Sequence, residues 1–410
     1  MKKNLLYFSD STFFSGSQNM IINFLESSEL NNDYNISFAY VYSELYEKGL
    51  HDRLTNNYST LFPISLVEKI VLKPGHKNLF NKIYKAFVLL FNKYYSLIIN
   101  TYLLYNFLKS KNFDIVHINN GGFPGGTPCN AMVIASKLNK INNIFYVVNN
   151  TPEGYTFFMR WFDYFIDRLI IKSVTKFITG SLNSLKIMEN KLNVPKHKLS
   201  HIFNGINPRK KDLDNKTFLK LYSICEESFK ISIVGNVEKR KGHIILLKSL
   251  KKMIDDKFDS APLLLIAIGK INPELDNILH FIEKHKLENN VIILPYEINI
   301  FNLYSITNTL IVPSIGSEDL PNVISEAMSL GVPVIGTSIA GIPEQVIHNK
   351  TGVIVAANDC NNLSNAIKII IQNKSLLKEF SKNSKIRFNE HFNVNSSVLK
   401  YRKLYKKNKL

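Results

Sequence analysis

Short apolar runs alternate with longer amphipathic stretches along almost the whole chain. The first half offers "NLLYF", "ISFAYVY", "DIVHI", "IFYVV" and "KFITGS"; the second offers "FKISIVGN", "PLLLIAIG", "NVIILPY", "TLIVPS", "PVIGT" and "TGVIVAA". Several are continuously apolar. A strand with one face in water alternates, whereas a strand covered on both faces does not. Helical patterns such as "HIILLKSLKKMIDD" and "NVISEAMSLG" lie between the runs. Strand–helix alternation predicts an α/β chain with doubly wound parallel sheets. With 410 residues against the roughly 100–200 of one domain, two such sheets in tandem are the simplest arrangement. The break falls in "SHIFNGINPRKKDLDNKTFLKLYSICEESFKISIVG", where "NGINP" is turn chemistry and "RKKDLDNK" is polar without periodicity. This divides the chain into a first domain over 1–205, a linker over 206–228 and a second domain over 229–390, with residues 391–410 closing it.

In open α/β sheets ligands bind beyond the carboxyl ends of the strands, so the chemistry is sought in four loops and in the cleft two domains would form. In "SDSTFFSGSQNMIINFL", Ser15-Gly16-Ser17 opens a helix. Exposed amides there favour an anion and Gly16 permits close approach, although a plain cap by Ser15 or Ser17 fits the same residues. In "HINNGGFPGGTPCN" the glycines Gly121, Gly122, Gly125 and Gly126 make a wide loop behind His117 and Asn119; His117 reads as a ligand contact or as a structural histidine. In "VGNVEKRKGHIILL", Gly235-Asn236 ends a strand, and Lys239, Arg240 and Lys241 precede Gly242 and a helix. Cations at a helix start oppose its dipole. The placement makes sense if a diphosphate sits between them and the amides; a solvated charge run is the plain alternative. In "SEDLPNVISEAMSLGVPVIGTSIAGIPEQ", Glu318 precedes a helix whose first turn carries Pro321, and Glu326 lies inside it. Val323, Ile324 and Ala327 make its apolar face, and Asn322, Ser325, Glu326 and Ser329 the opposite side.

Composition narrows the partners. Hydrophobic residues at 45% and charged residues at 20% mark a globular chain, and a net charge of +18 implies an anionic partner. From Lys69 to Lys111 there are eight lysines and no acid, interleaved with aromatics, and "KYRKLYKKNKL" adds six basic residues. Nucleic acid and an anionic membrane surface both fit. The longest uncharged piece there, Tyr94 to Leu108, is 15 residues, short of the roughly 18–20 a spanning helix needs; it lies on a membrane or packs against protein. No groove-reading or single-strand-binding motif accompanies the charge, which disfavours nucleic acid. Cys129, Cys225 and Cys360 have neither metal-ligand nor disulfide spacing, which suits a reducing cytosol. The first apolar run is too short for a signal peptide.

These pieces together resemble glycosyltransferase family 4, retaining enzymes of GT-B fold with two Rossmann-like domains facing a cleft. The resemblance rests on "SGSQNMIINFL", "FNGIN", "VGNVEKRKGHIILLKSL" and, most specifically, "VPSIGSEDLPNVISEAMSLGVPVIGTSIAGIPEQVIHNKTGVIV", which holds two glutamates separated by seven residues. It implies that Glu326 binds the ribose hydroxyls of a sugar nucleotide and Glu318 the donor sugar. Arg240 and Lys241 would neutralise the diphosphate, helped by the amides of Leu320, Pro321, Asn322 and Val323 as far as each has one, by Gly235 and Asn236, and by Gly16. Ser15, His117, Asn119, Gly121 and Gly122 would face the acceptor. The end, "FNEHFNVNSSVLKYRKLYKKN", resembles the family's helix that crosses back to the first domain.

The chain departs from the family at Asn236, where arginine is usual, at Asn207, where aspartate is common, and at Asn119, where many members have histidine. The resemblance implies transfer with retention, without cofactor or metal; the expected carrier is uridine diphosphate, with guanosine diphosphate second. The acceptor would be a glycan or lipid diphosphate-linked saccharide of surface-polysaccharide or lipopolysaccharide assembly. The enzyme would be cytoplasmic or peripheral on the inner membrane face, with no nucleic-acid partner. A sugar-nucleotide epimerase of the same fold is the alternative enzyme.

Overall fold

The computed structural model describes residues 2–12, 18–55, 59–67, 79–156, 158–270, 272–296, 298–316 and 318–407; in 79–83 and 158–159 only the backbone is described. The chain forms two compact units, one made of Met1–Ile202 with Val398–Leu410 and the other of Phe203–Ser397.

The first unit holds seven parallel strands, β1 (Lys3–Ser9), β2 (Tyr34–Val41), β3 (Thr60–Ile64), β4 (Ile115–Asn120), β5 (Asn143–Val148), β6 (Lys176–Thr179) and β7 (Leu199–His201), in the order β3-β2-β1-β4-β5-β6-β7. β4 is buried at every position, which accounts for its lack of alternation. The core gathers Leu6, Phe8, Val116, Ile118, Ile144 and Tyr146 from these strands and Leu104, Met132 and Met188 from covering helices. Order reverses between β1 and β4, so the loops after those strands flank an open crevice.

The second unit holds six parallel strands, β8 (Lys230–Gly235), β9 (Leu263–Ile268), β10 (Val291–Leu294), β11 (Thr309–Val312), β12 (Val334–Thr337) and β13 (Gly352–Val355), in the order β10-β9-β8-β11-β12-β13. Its reversal lies between β8 and β11. Isoleucines and leucines of the strands, such as Ile231, Leu264 and Ile311, pack under the helices His243–Asp255 and Cys360–Gln372.

Part of the stretch read as linker is ordered. Asp214 accepts from the amide of Thr217 at 3.1 Å and caps the helix Asn215–Leu221, whose Phe218 and Leu219 are buried on the second unit. Seven residues with only two apolar anchors leave too short a pattern to reveal a helix. The division between units comes just before "FNGIN", and Gly205 explains the motif: a Cβ there would lie 2.7 Å from the Cα of Val394. Ile206 then pairs with Asn393.

The helix Val394–Lys407 starts in the second unit, and from Val398 onward it belongs to the first. There Tyr401 and Tyr405 are buried against Phe24 and Phe145 respectively, and Arg402 and Lys406 pair with Asp33. The Arg402 guanidinium holds the Asp33 carboxyl well below its ordinary range, against the opposing effect of burial.

Candidate functional site

The loops after β8 and β11 meet at the second unit's reversal point. β8 ends at Gly235, and a turn over Lys239–Lys241 leads to Gly242. Gly242 has φ +76°, and a Cβ would sit 1.9 Å from the carbonyl oxygen of Pro313. Only glycine fits both the left-handed backbone and that contact. The close approach is locked by the Ile315 amide, which donates to the Arg240 carbonyl at 2.8 Å.

The result brings the sequence-predicted cations onto Glu318. Arg240 Nη1 lies 3.0 Å and Lys241 Nζ 2.5 Å from the same oxygen, Glu318 Oε1, which also accepts from Ser314 Oγ at 3.2 Å. Glu318 is 7% exposed. Arg240 Nε further donates to Glu238 Oε2 at 2.6 Å. Burial raises the Glu238 carboxyl, but the Asn236 amide and Arg240 outweigh it and leave it below its ordinary range. Two cations and two carboxylates thus share one small volume in front of the next helix.

That helix is Asn322–Ser329, with Pro321 just before it at φ −60°. Its first amides have no partner within the helix by construction and lie next to Glu318 in the chain. Glu326 bonds not to a cation but to Tyr304, whose hydroxyl donates to Oε2 at 3.0 Å. Burial raises the Glu326 carboxyl and the Tyr304 bond partly offsets this. The polar side of the helix is less open than its pattern suggested, because Ser325 and Ser329 are buried with Ile324 and Ala327, while Asn322 and Val323 are half-buried. Gln345 explains Ser325: its amide donates to Ser325 Oγ at 2.9 Å and to the Pro321 carbonyl at 3.1 Å, fixing the helix start from below.

Glu238, Ser314, Tyr304 and Gln345 were missed by the sequence reading. Glu238 and Ser314 were reachable, since each follows directly from a strand's carboxyl end. Tyr304 lies in an ordinary helix, Ile300–Ile306, and nothing local marks it. His243, the first residue after Gly242, is buried with neither ring nitrogen hydrogen-bonded. Burial, assisted by Lys241, pushes it down to about 4.

In the first unit the outcome differs. Ser15 and Gly16 lie outside the described residues. Of its two readings, His117 takes the structural one, as a core residue of β4: it is 1% exposed, its Nδ1 is 2.6 Å from the Tyr405 hydroxyl, and Tyr7, Phe24 and Tyr401 surround its ring. Burial pushes it down to about 3. It anchors the C-terminal helix, because a strand residue of this parity points into the sheet's covered face. Asn119 is also buried; its side-chain oxygen accepts from Asn149 at 2.9 Å and its amide nitrogen has no partner. Gly121 and Gly122 pass Asn150 at ordinary contact distance. Among the described residues, no group of three or more His, Cys, Asp or Glu is placed to hold a metal ion.

With this geometry in hand, the chain can be set beside known proteins. Residues 216–387, all within the second unit, match the family model described as glycosyl transferases group 1. The capsular polysaccharide biosynthesis glycosyltransferase CapM of Staphylococcus aureus is 26% identical over 250 residues, 59% of this chain and 63% of that protein. The UDP-Gal:alpha-D-GlcNAc-diphosphoundecaprenol alpha-1,3-galactosyltransferase of Escherichia coli is 23% identical over 308 residues, 74% of this chain and 77% of that one. The first curated relatives are matched over only 54 to 63% of their length. Among solved structures, HepE of Anabaena superposes with a TM-score of 0.76 at 15% identity, covering 98% of this chain and 100% of that one. The fold is therefore GT-B, two Rossmann-like doubly wound domains.

Proposed function

We propose that the chain is a glycosyltransferase that moves a sugar from a uridine diphosphate donor, with retention at the anomeric carbon and without a metal, to a glycan or lipid diphosphate-linked saccharide of surface-polysaccharide assembly. The observation that carries this is the convergence of Arg240 and Lys241 at the start of the helix Asn322–Ser329, beside Glu318. Positive side chains and helix-start amides together suit a diphosphate. They also suit the leaving group, since donors aimed at developing charge are worth ~3–4 kcal/mol each in the transition state. Glu326, which accepts from Tyr304, would hold the ribose diol with its remaining acceptor capacity. Glu318 would contact the sugar once the diphosphate has taken its place on the cations. Support for the nucleotide and the acceptor class comes from the Escherichia coli relative, whose name joins UDP-Gal to a diphosphoundecaprenol-linked sugar. The basic composition fits work at the inner face of a membrane; no helix among the described residues is long and apolar enough to cross one.

The test is calorimetry with uridine, guanosine and adenosine diphosphates in the presence of a chelator. Tight binding of uridine diphosphate, lost in Glu326→Ala, is expected. Binding of none of the three would remove the reading. Isomerisation of a nucleotide sugar with no acceptor present would replace it with an epimerase.

A further inference from the structure

The helix Leu79–Lys109 is built inside out. Its outward stripe is Tyr84, Phe87, Phe91, Tyr95, Ile98 and Tyr102, spaced three or four apart, each at least half exposed. The opposite side buries Asn92, Ser96 and Asn100 alongside Leu97, Leu104 and Leu108. Asn100 is satisfied by the backbone of Val67, accepting at 2.8 Å and donating at 3.1 Å. A water-facing helix would show the reverse polarity. The stripe runs for 18 residue steps, about 27 Å at ~1.5 Å per residue. With roughly 150 Å² or more available per aromatic ring, the five half-exposed rings of this stripe alone present about 375 Å² or more, already the size of the largest exposed apolar patch on a typical monomer (about 300–600 Å²), which is often functional.

A second row of apolar side chains lies on the neighbouring helices Phe158–Trp161 and Tyr164–Ser173. Trp161, Phe165 and Leu169 are four apart and exposed by 61%, 81% and 46%. The two rows are tied side by side: Tyr94 donates to the Phe162 carbonyl at 2.9 Å and Lys93 contacts both Asp163 oxygens at 2.6 and 2.7 Å. Asp167 and Asp163, the residue just before the helix Tyr164–Ser173, are the only acids from Phe158 to Ser173, and both are buried with Arg160. What remains outside is aromatic, aliphatic and basic.

We infer that this double row is a membrane-docking face: its rings enter the interface of an anionic bilayer while lysines such as the exposed Lys109 meet the lipid phosphates. Acidic residues have been withdrawn from the face, which complements an anionic surface and opposes a second copy. Two identical basic faces meeting across a two-fold axis would set like charges together. The inference gives the membrane part of the proposed reading its contact surface, and it rests on that reading only for the identity of the acceptor. Lys93 is not part of the lipid-facing charge, because its ammonium is occupied by Asp163.

Trp161 is the single tryptophan of the chain, so its fluorescence reports this face alone. The full-length protein is titrated with vesicles of phosphatidylglycerol and phosphatidylethanolamine, and separately with phosphatidylcholine. The expected result is a blue shift of emission with the anionic vesicles, quenching by lipids brominated near the carbonyl region, and at least ten-fold weaker co-sedimentation for the double variant Phe87→Ser/Phe165→Ser. Both positions are exposed, so the unfolding midpoint of the variant should match the parent. Emission unchanged by anionic vesicles overturns the inference. So does co-sedimentation without a shift, which would be surface charge alone, and so does a blue shift that grows with protein concentration in the absence of lipid, which would mean a second copy covers the face. Uridine diphosphate binding measured on the same sample separates the two readings. Binding without insertion refutes the docking face alone; insertion without binding refutes the transferase alone.

Discussion

Removing the negative charge of Glu318 should strengthen nucleotide binding. In the unliganded protein Arg240 and Lys241 are both committed to Glu318 Oε1, so a diphosphate must displace that carboxylate before it can use them. The neutral isostere in Glu318→Gln keeps the volume and the Ser314 contact but competes far less. A hydrogen bond to a charged group contributes ~1.5–3 kcal/mol net. Arg240 is a third exposed, and solvent screening reduces its share, so the lower end, about 1.4 kcal/mol or ten-fold in affinity, is the expected gain for uridine diphosphate. Uridine, which has no phosphate, should gain nothing. Turnover should fall in the same variant, because the sugar loses its carboxylate contact. The assay is calorimetry of both ligands on parent and variant at low and high salt, with the gain shrinking as salt rises. Unchanged or weaker uridine diphosphate binding in Glu318→Gln, or an equal gain for uridine, would refute the exchange of carboxylate for diphosphate.

Glu326→Ala should weaken uridine diphosphate at least ten-fold, and Tyr304→Phe, which removes only the 3.0 Å bond that orients Glu326, should weaken it a few-fold, both read by calorimetry. Gly242→Ala forces a Cβ against the Pro313 carbonyl at a left-handed backbone; a loss of at least about 2 kcal/mol in urea unfolding and of nucleotide binding is expected, and a neutral result would contradict the close approach. Tyr405→Ala should destabilise the protein by about 3 kcal/mol, leaving His117 Nδ1 without its partner. His243 and His117, pushed down by burial to about 4 and about 3, make stability depend on pH. Above about pH 6.5 both folded and unfolded chains hold neutral histidine. As pH falls from there towards 4 the unfolded chain takes up protons that the folded one refuses, so stability drops by up to about 1.4 kcal/mol per pH unit for each. Denaturation at pH 7 and 5 should show the drop, and His243→Phe should shallow it.

How far the chain announced this structure depended on burial. Every strand of the second sheet falls on a short apolar-rich run and was legible, as were five strands of the first. The two that were not, β3 and β7, are its outer strands. β3 carries Pro63, tolerated only at an edge, and β7 has three residues, so neither buries enough to leave a pattern. At the site, residues adjacent to strand ends were readable because the switch-point rule says where to look. Glu318, Arg240 and Lys241 do come together. Tyr304, the partner of Glu326, and Gln345, the partner of Ser325, were not readable, since each arrives from a different helix and only the packed fold sets its direction. His117 stayed open between ligand contact and structural histidine for the opposite reason: the apolar run ends beside it, but β4 continues to Asn120, and a helix nearly three hundred residues later covers it.

That late arrival sets the order in which the protein can be made. The first unit takes its closing residues from Val398 onward, after the whole of Phe203–Ser397 has been synthesised. The second unit, contiguous in sequence, is complete in its own chain before the first. Until Tyr401 and Tyr405 emerge, the aromatic side of the first sheet around Tyr7, Phe24 and His117 has no cover, although it was translated earliest. Folding on the ribosome should therefore finish at the N-terminal unit rather than begin there, and a nascent chain arrested shortly after Ser397 should hold a protease-resistant second unit beside a first unit that proteases still open.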